Sequence, residues 1–453
     1  MDNSNFSSLT KIKNKIISGG IWVTSGFVIN AFAGLIIGIL VSRILTTHDV
    51  GVYYLIFSIV ISGSMFGQLG LNRTVVKFTA NALASNNSGV ARSTAIRMLT
   101  IVTLVSAVYL TASYIPYTSN LIAMTFGESS LQQYLLIIGL WMALNTLRVF
   151  LAELFRGAHN IKMAAITQRI LVNVIFLAGL TAIWIYNSST SLDSILILIT
   201  ASTLIVVIIA IIFNTIWVKQ LPAGQPEPYR SILSASAPLF ISQSLLLLSN
   251  QFPIWVLGAT QAESSVAVYA IASRIAFIVS LPLLIANNVI MPLVAGMYKT
   301  NQHEKLSRLL SYSVVVTSIL STIIAILFFL YGDKTLTLLF GADYTKGYTS
   351  LIFLSIGLLF NVYAGSSAIL LAMSGNESSI LFSISMSVII TILASFILIP
   401  AYGSAGAAIS YSSGLIIYNF FLASKAKQAT GITAYLDSNA IKSLSQLILK
   451  LKK

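Results

Sequence analysis

Long apolar stretches broken by short polar connections dominate this chain. Twelve are long enough to serve as helices that cross a bilayer, a length of about 20 residues. The first six cover about 16–41, 50–71, 95–115, 133–155, 163–186 and 192–218. The second six cover about 232–257, 265–290, 309–331, 350–373, 379–399 and 404–425. The first follows Lys11, Lys13 and Lys15, and its Ala31-Phe32-Ala33 could be taken for a cleavage site. However, Ile16–Val41 is 26 residues long, beyond the roughly 7–15 residues of a signal-peptide core, so it is read as a retained span. The most polar connection, Lys219–Arg230, carries Pro222, Pro226 and Pro228 and is expected to be an extended linker. The resulting organisation is an N-terminal lobe over 1–218, a cytoplasmic linker over 219–231, a C-terminal lobe over 232–425 and a basic tail over 426–453.

Composition removes the soluble alternative. Of 453 residues, 57% are hydrophobic and only 8% charged, against about 25% charged in a soluble domain. No globule of this size has the interior to hide that apolar surface. The 27 glycines suit helices that approach closely in a membrane. With no cysteine, disulfides, thiolate metal sites and cysteine nucleophiles are excluded. His48, His159 and His303 fall near expected loops, so neither a metal nor any other cofactor is anticipated.

A net charge of +14 could suggest a nucleic-acid partner, but the distribution of the cations records topology instead. With the N-terminus inside, the cytoplasmic segments hold 21 Lys and Arg, and the opposite side holds only Arg43, Lys334 and Lys346. Arg148 and Arg274 are taken to lie within spans. This asymmetry predicts a multi-pass protein of the inner (plasma) membrane with both termini cytoplasmic. No nucleic-acid partner is expected.

The two halves resemble one another. Val50-Gly51-Val52-Tyr53 recurs as Val266-Ala267-Val268-Tyr269 at an offset of 216, and Phe126-Gly127 recurs as Phe340-Gly341 at 214. Gly157 is matched to Gly375 at 218. Six helices per repeat give both copies the same orientation in the membrane, a transporter architecture. The expected fold is therefore an all-α polytopic membrane protein, with twelve transmembrane helices in two pseudo-symmetric six-helix lobes around a central cleft.

Several motifs follow one another along residues 16 to 425: Ser42-Arg43-Ile44-Leu45, Gly70-Leu71-Asn72-Arg73, Val268 to Ile275, Met291-Pro292, Leu339 to Tyr344, and Ile399 to Ala408. In their order and spacing the chain resembles the polysaccharide (O-antigen) flippases of the multidrug/oligosaccharidyl-lipid/polysaccharide exporter superfamily. The resemblance implies a twelve-helix transporter that carries undecaprenyl-pyrophosphate-linked oligosaccharide repeat units, of O-antigen or capsular type, across the inner membrane. It also implies a polymerase and a chain-length regulator of the same pathway as partners.

Ionisable groups inside spans mark a pathway or a partner. Arg148 and Arg274 are the deepest cations, and no acid lies at helical reach of either. Asn145, Arg148 and Arg156 share one face of the fourth span, with Glu153 at its margin. Asn288 returns to the face of Arg274. Guanidinium binds phosphate oxygens bidentately, so Arg274, Arg148, Arg43, Asn145 and Asn288 are the candidate pyrophosphate and glycan contacts. The competing reading is an arginine bonded to neighbouring carbonyls, with Asn side chains joining helices. Glu153 is the candidate proton-coupling group, or else a structural partner of Arg156 at i,i+3. Pro238, Pro253 and Pro282 in the seventh and eighth spans are candidate hinges, or static kinks.

The tail from Tyr435 to Lys453 places Ile441, Leu444, Ile448 and Leu451 at helical spacing beside Lys442, Lys450, Lys452 and Lys453. It should lie on the anionic leaflet, with docking of biosynthetic enzymes as the other use. Two further functions were weighed. An ion-coupled multidrug exporter would need buried acids, and the spans hold essentially Glu153. A glycan polymerase or ligase would need catalytic groups in a large external loop, and the loops 116–132 and 332–349 offer Glu128, Asp333, Lys334, Asp343 and Lys346 without a histidine. No enzyme activity is expected.

Overall fold

The computed structural model describes residues 26, 29–115, 131–186, 190–438 and 440. The lysines before the first span, the Phe126-Gly127 pair, Glu128 and the tail from Ile441 onward lie outside the described residues. Among those described, every regular element is a helix, the outcome a bilayer imposes, because backbone groups there find no water to bond. The helices are α1 (Ile29–Ile44), α2 (Thr47–Gly67), α3 (Leu71–Ala84), α4 (Ser88–Ser113), α5 (Gln132–Gly157), α6 (Ile161–Tyr186) and α7 (Leu192–Lys219). They continue as α8 (Tyr229–Thr260), α9 (Glu263–Lys299), α10 (His303–Phe340), α11 (Ala342–Tyr363), α12 (Ser367–Met373) and α13 (Glu377–Thr430). The protein is an all-α, multi-pass membrane protein.

Nine of these helices are each long and apolar enough to cross a membrane. The expected twelve spans are accommodated as follows. At 54 residues, α13 would run about 80 Å against a hydrocarbon core of about 30 Å. It breaks at Gly403, whose φ of 53° and ψ of −127° leave the helical region three residues after Pro400. The two pieces coincide with the spans expected at 379–399 and 404–425. α11 and α12 are long and apolar enough to cross only as a pair bent by 43°, matching the span expected at 350–373, and α1 covers the described part of the span expected at 16–41. The short amphipathic helix α3 went unpredicted because it lacks a long apolar run.

The duplication is visible in the backbone. α2 and α9 begin 216 residues apart, α4 and α10 215 apart, and α6 and α13 216 apart. Four helix ends close with the same pair of bonds, a 6→1 and a 5→2 link around one left-handed residue. These residues are Asn86, His159, Asn301 and Gly375, at φ of 57°, 60°, 54° and 74°. The paired bonds are Asn87 N–H to Ala82 O with Asn86 N–H to Leu83 O, and their equivalents at Asn160, Gln302 and Asn376. Gly375 therefore corresponds to His159, at 216. The sequence match of Gly375 with Gly157 was two residues out of register. Gly157 ends α5 itself, where an added Cβ would sit 3.0 Å from Thr79 and 3.2 Å from the Val75 carbonyl.

Packing divides the chain into two compact units, one of Met1–Leu45 and Ile56–Ser244, the other of Thr46–Leu55 and Leu245–Lys453. In the first, Leu71, Val75, Met98, Val102, Phe150, Leu154 and Ile232 form a core. Helices there are also joined through carbonyls: Tyr109 OH donates to Gly63 O at 2.5 Å and Ser64 Oγ to Met142 O at 3.2 Å. Residues 221–228 of the Lys219–Arg230 connection lie outside the helices, as expected of a linker, and are held on the start of α4. Arg92 donates to Leu221 O at 2.8 Å and Arg97 to Glu227 O at 2.7 Å, and Gly89 and Gly224 meet backbone to backbone. In the second unit Ile290, Val294, Leu306, Leu310, Leu370, Leu371 and Leu422 form the core. The exposed apolar residues of α7 and α10, such as Ile208, Ile212, Phe329 and Leu330, suit acyl chains.

Gly51, in the first copy of the repeated tetrapeptide, allows the α9 backbone to come close: a Cβ there would lie 1.9 Å from Glu263 O. Gly51→Ala should destabilise the protein by about 1–3 kcal/mol through overpacking, read as a lowered melting temperature in detergent. Gly296→Ala, with no atom within 4 Å of the added methyl, should leave the melting temperature unchanged or raise it.

Candidate functional site: an arginine cluster on two membrane helices

α5 and α6 bring together the polar residues of the first unit. On α5, Asn145, Arg148, Glu153 and Arg156 occur within a dozen residues of an otherwise apolar helix. On α6, the helix widens into a π turn over Ile166–Ile170. A π turn displaces carbonyls from their regular i→i−4 partners, and Arg148 meets two of them. Its Nη1 donates to Thr167 O at 3.3 Å and to Gln168 O, while Nε and Nη2 donate to Asn145 Oδ1 at 3.2 and 2.6 Å. Arg148 is thus bonded to neutral oxygens of its own protein, the carbonyl-bonded arrangement weighed as the competing reading.

Below Arg148 lies an ion pair. Arg156 Nη1 meets both oxygens of Glu153 at 2.9 and 2.8 Å, and Glu153 is 2% exposed. The Gln168 side chain closes the ring, donating to Glu153 Oε1 at 2.9 Å and accepting from Arg156 Nη2 at 2.9 Å. Arg169, next along α6, lies within electrostatic range of Arg156, Glu153 and Arg73, and Arg148 within range of Arg169. Arg156 and Arg169 therefore both lie within range of the Glu153 carboxylate, with Arg148 beside Arg169. Arg148, Arg156 and Arg169 all lie within three turns of the α5–α6 turn.

Sequence reasoning counted Arg169 among loop cations, whereas it stands inside α6, and it passed over Gln168. The adjacent polar pair Gln168-Arg169 in an apolar run was the available signal. The other sites are simpler. Arg43 is exposed at the end of α1. Arg274 belongs to the second unit, partly buried, its guanidinium 5.0 Å above the Tyr54 ring, a cation–π arrangement. Asn288, in the same unit, donates to Leu284 O of its own helix at 2.9 Å. Asn30 and Asn173 join α1 to α6 at 2.9 Å, and Ser366 donates to Asn287 at 2.6 Å, the helix-to-helix use of such side chains. Pro238 and Pro253 lie within a continuous α8. Pro282 opens the last part of α9 after the 3-10 turn Phe277–Ser280. A main-chain break also follows Pro400, at Gly403.

The arginines are not duplicated with the fold. At the offset of 216, Asn145 meets Asn361, but Arg148, Glu153, Arg156, Gln168 and Arg169 meet Ala364, Ile369, Ala372, Ile384 and Ser385. The second copy therefore carries none of these charges.

Glu153→Ala should strand Arg156 and cost on the order of 3 kcal/mol. Glu153→Ala with Arg156→Ala together should recover part of that loss. Unfolding of both variants in detergent gives the coupling.

Comparison with known proteins agrees with this architecture. The capsular polysaccharide biosynthesis protein CapF of Staphylococcus aureus is 24% identical over 421 residues, covering 87% of this chain and 96% of CapF. Among solved structures, the lipid II flippase MurJ in an inward closed conformation superposes with a TM-score of 0.69 at 17% identity, covering 94% of this chain and 92% of MurJ. An inward-facing multidrug resistance transporter of the MATE family, in the MOP superfamily, gives 0.69 at 16% identity, covering 89% and 94%. A MOP superfamily transporter from Pyrococcus furiosus with a binding pocket of reversed polarity gives 0.66 at 16%, covering 92% and 96%. These structural likenesses are of fold. The family model described as polysaccharide biosynthesis protein matches residues 16–298, well over half of the sequence, and the chain belongs to that family.

Proposed function

We propose that the protein is a flippase for undecaprenyl-pyrophosphate-linked oligosaccharide, working by alternating access and without a catalytic step of its own. The observation that carries this reading is the cationic excess on these two membrane helices: Arg156 and Arg169 near the carboxylate Glu153, with Arg148 beside Arg169. A cation held at membrane depth is costly unless a partner meets it, and a diphosphate is a partner that guanidinium groups recognise bidentately. Membership of a polysaccharide biosynthesis family supports a sugar-bearing cargo over a cationic drug. In this reading Arg169 attracts the diphosphate, Arg156 stays paired with Glu153, and Arg148, its donors taken by Asn145 and the π turn, fixes α6 and adds charge. Arg274, on its aromatic seat, is a second candidate contact. Glu153 is committed to Arg156 and Gln168, so a proton-coupling role would require that ring to open.

Orientation follows from the cation asymmetry: the termini and the Lys219–Arg230 connection face the cytoplasm of the inner membrane. The absence of cysteine makes this simple to check. A single cysteine at Ala223 should react with an impermeant maleimide only from the cytoplasmic side, and one at Lys346 only from the other side.

The function is tested in proteoliposomes loaded with radiolabelled polyprenyl-pyrophosphate oligosaccharide. Arg169→Ala and Arg274→Ala should each slow translocation about tenfold or more, the worth of one charge-assisted hydrogen bond. Arg148→Ala should slow it and also lower the melting temperature. Unchanged rates in all three would sink the site. Transport of a cationic dye in place of the lipid-linked sugar would point to a drug exporter.

A further inference from the structure

A cavity of about 660 Å³ lies in the second unit, and none of the candidate site residues above lines it. Its size falls within the roughly 300–1,000 Å³ typical of small-molecule sites. Phe360 of α11 and Ile416 and Phe420 of α13 form an apolar trough. Phe360 and Phe420 remain 47% and 63% exposed. The end of the trough is built by the chain itself. After α13, Gly431 takes a left-handed φ of 69°, and residues 432–436 fold back. Ile432 and Ala434 enter the core, and Leu436 N–H bonds to Tyr363 O at 2.8 Å. This brings Tyr435 and Leu436 over the trough beside Lys427, Gln428 and Ser424.

The polar end is cationic. Lys427 Nζ donates to Tyr435 OH at 3.3 Å, and no carboxylate is among the lining residues. The nearest acid in sequence, Asp437, is turned away to accept the Ala440 N–H at 2.7 Å. Lys425 points elsewhere, 5.8 Å from the Phe382 ring. An apolar trough ending in an ammonium group and hydroxyl donors, with tyrosines at its mouth, has the chemistry of the membrane interface.

We infer that this cavity binds an anionic phospholipid, its phosphate on Lys427 and Tyr435 and an acyl chain along Phe360, Ile416 and Phe420. Charge selects this occupant over the protein's own tail. Lys442, Lys450, Lys452 and Lys453 would bring like charge to Lys427, whereas a lipid phosphate supplies the opposite charge. The site is independent of the cargo proposed above.

The test is native mass spectrometry of the full chain released from micelles containing equal amounts of phosphatidylglycerol and phosphatidylcholine. The wild type should retain phosphatidylglycerol about fivefold in preference, the worth of one lysine at an anionic lipid surface. Lys427→Ala should bring the ratio to parity, Lys427→Arg should keep it, and Phe420→Ser should lower retention of both lipids. The inference fails if Lys427→Ala keeps the wild-type preference, or if the preference vanishes only when the four tail lysines are changed to glutamine. It also fails if undecaprenyl phosphate at equal concentration displaces the phospholipid completely, for the site would then belong to a polyprenyl chain.

Discussion

A backbone carbonyl set loose inside a bilayer has no water to turn to, and the central interaction of the first unit is the answer to that problem. Where α6 widens over Ile166–Ile170, Arg148 of α5 reaches across and bonds the carbonyls of Thr167 and Gln168. The arrangement is reciprocal. The π turn needs a strong donor, and a guanidinium at membrane depth needs acceptors. With that pair in place, Gln168 is held so that its side chain spans Glu153 and Arg156, and Arg169 is directed to the same region. Each polar group is acceptable in the membrane because the next one is present.

The consequence is a division of labour among arginines that look equivalent in the chain. Arg148 is structural in its contacts and electrostatic in its influence. Arg156 is neutralised by Glu153. Arg169 adds a further cation within electrostatic range of Glu153. A site built in this way holds its cations in fixed positions before a ligand arrives, which lowers the cost of binding an anion. Glu153 serves in it as a counter-charge, keeping like charges tolerable at short range.

Duplication supplied the scaffold, and asymmetry supplied the chemistry. The two copies share helix starts and the left-handed turn residues, two in each copy. They differ where charge matters: the positions of Arg148, Glu153, Arg156, Gln168 and Arg169 hold only Ala, Ile and Ser in the second copy. The second unit places its own cations elsewhere, Arg274 on the ring of Tyr54 and Lys427 at the end of an apolar trough.

The amino-acid pattern alone was enough for the membrane, the helical class, the span positions and the duplication. Each rests on length, period and composition, and a bilayer translates these directly into structure. It also picked out Arg148 and Glu153, since an ionisable residue in an apolar run stands out without any knowledge of its neighbours. Tertiary structure decided which partner each one has. The π turn that engages Arg148, the Gln168 bridge, the pairing of Gly375 with His159 and the fold-back of residues 432–436 all depend on backbone geometry. They bring together residues from different helices, and no hydrophobic period along one helix encodes where a second helix will present its carbonyls.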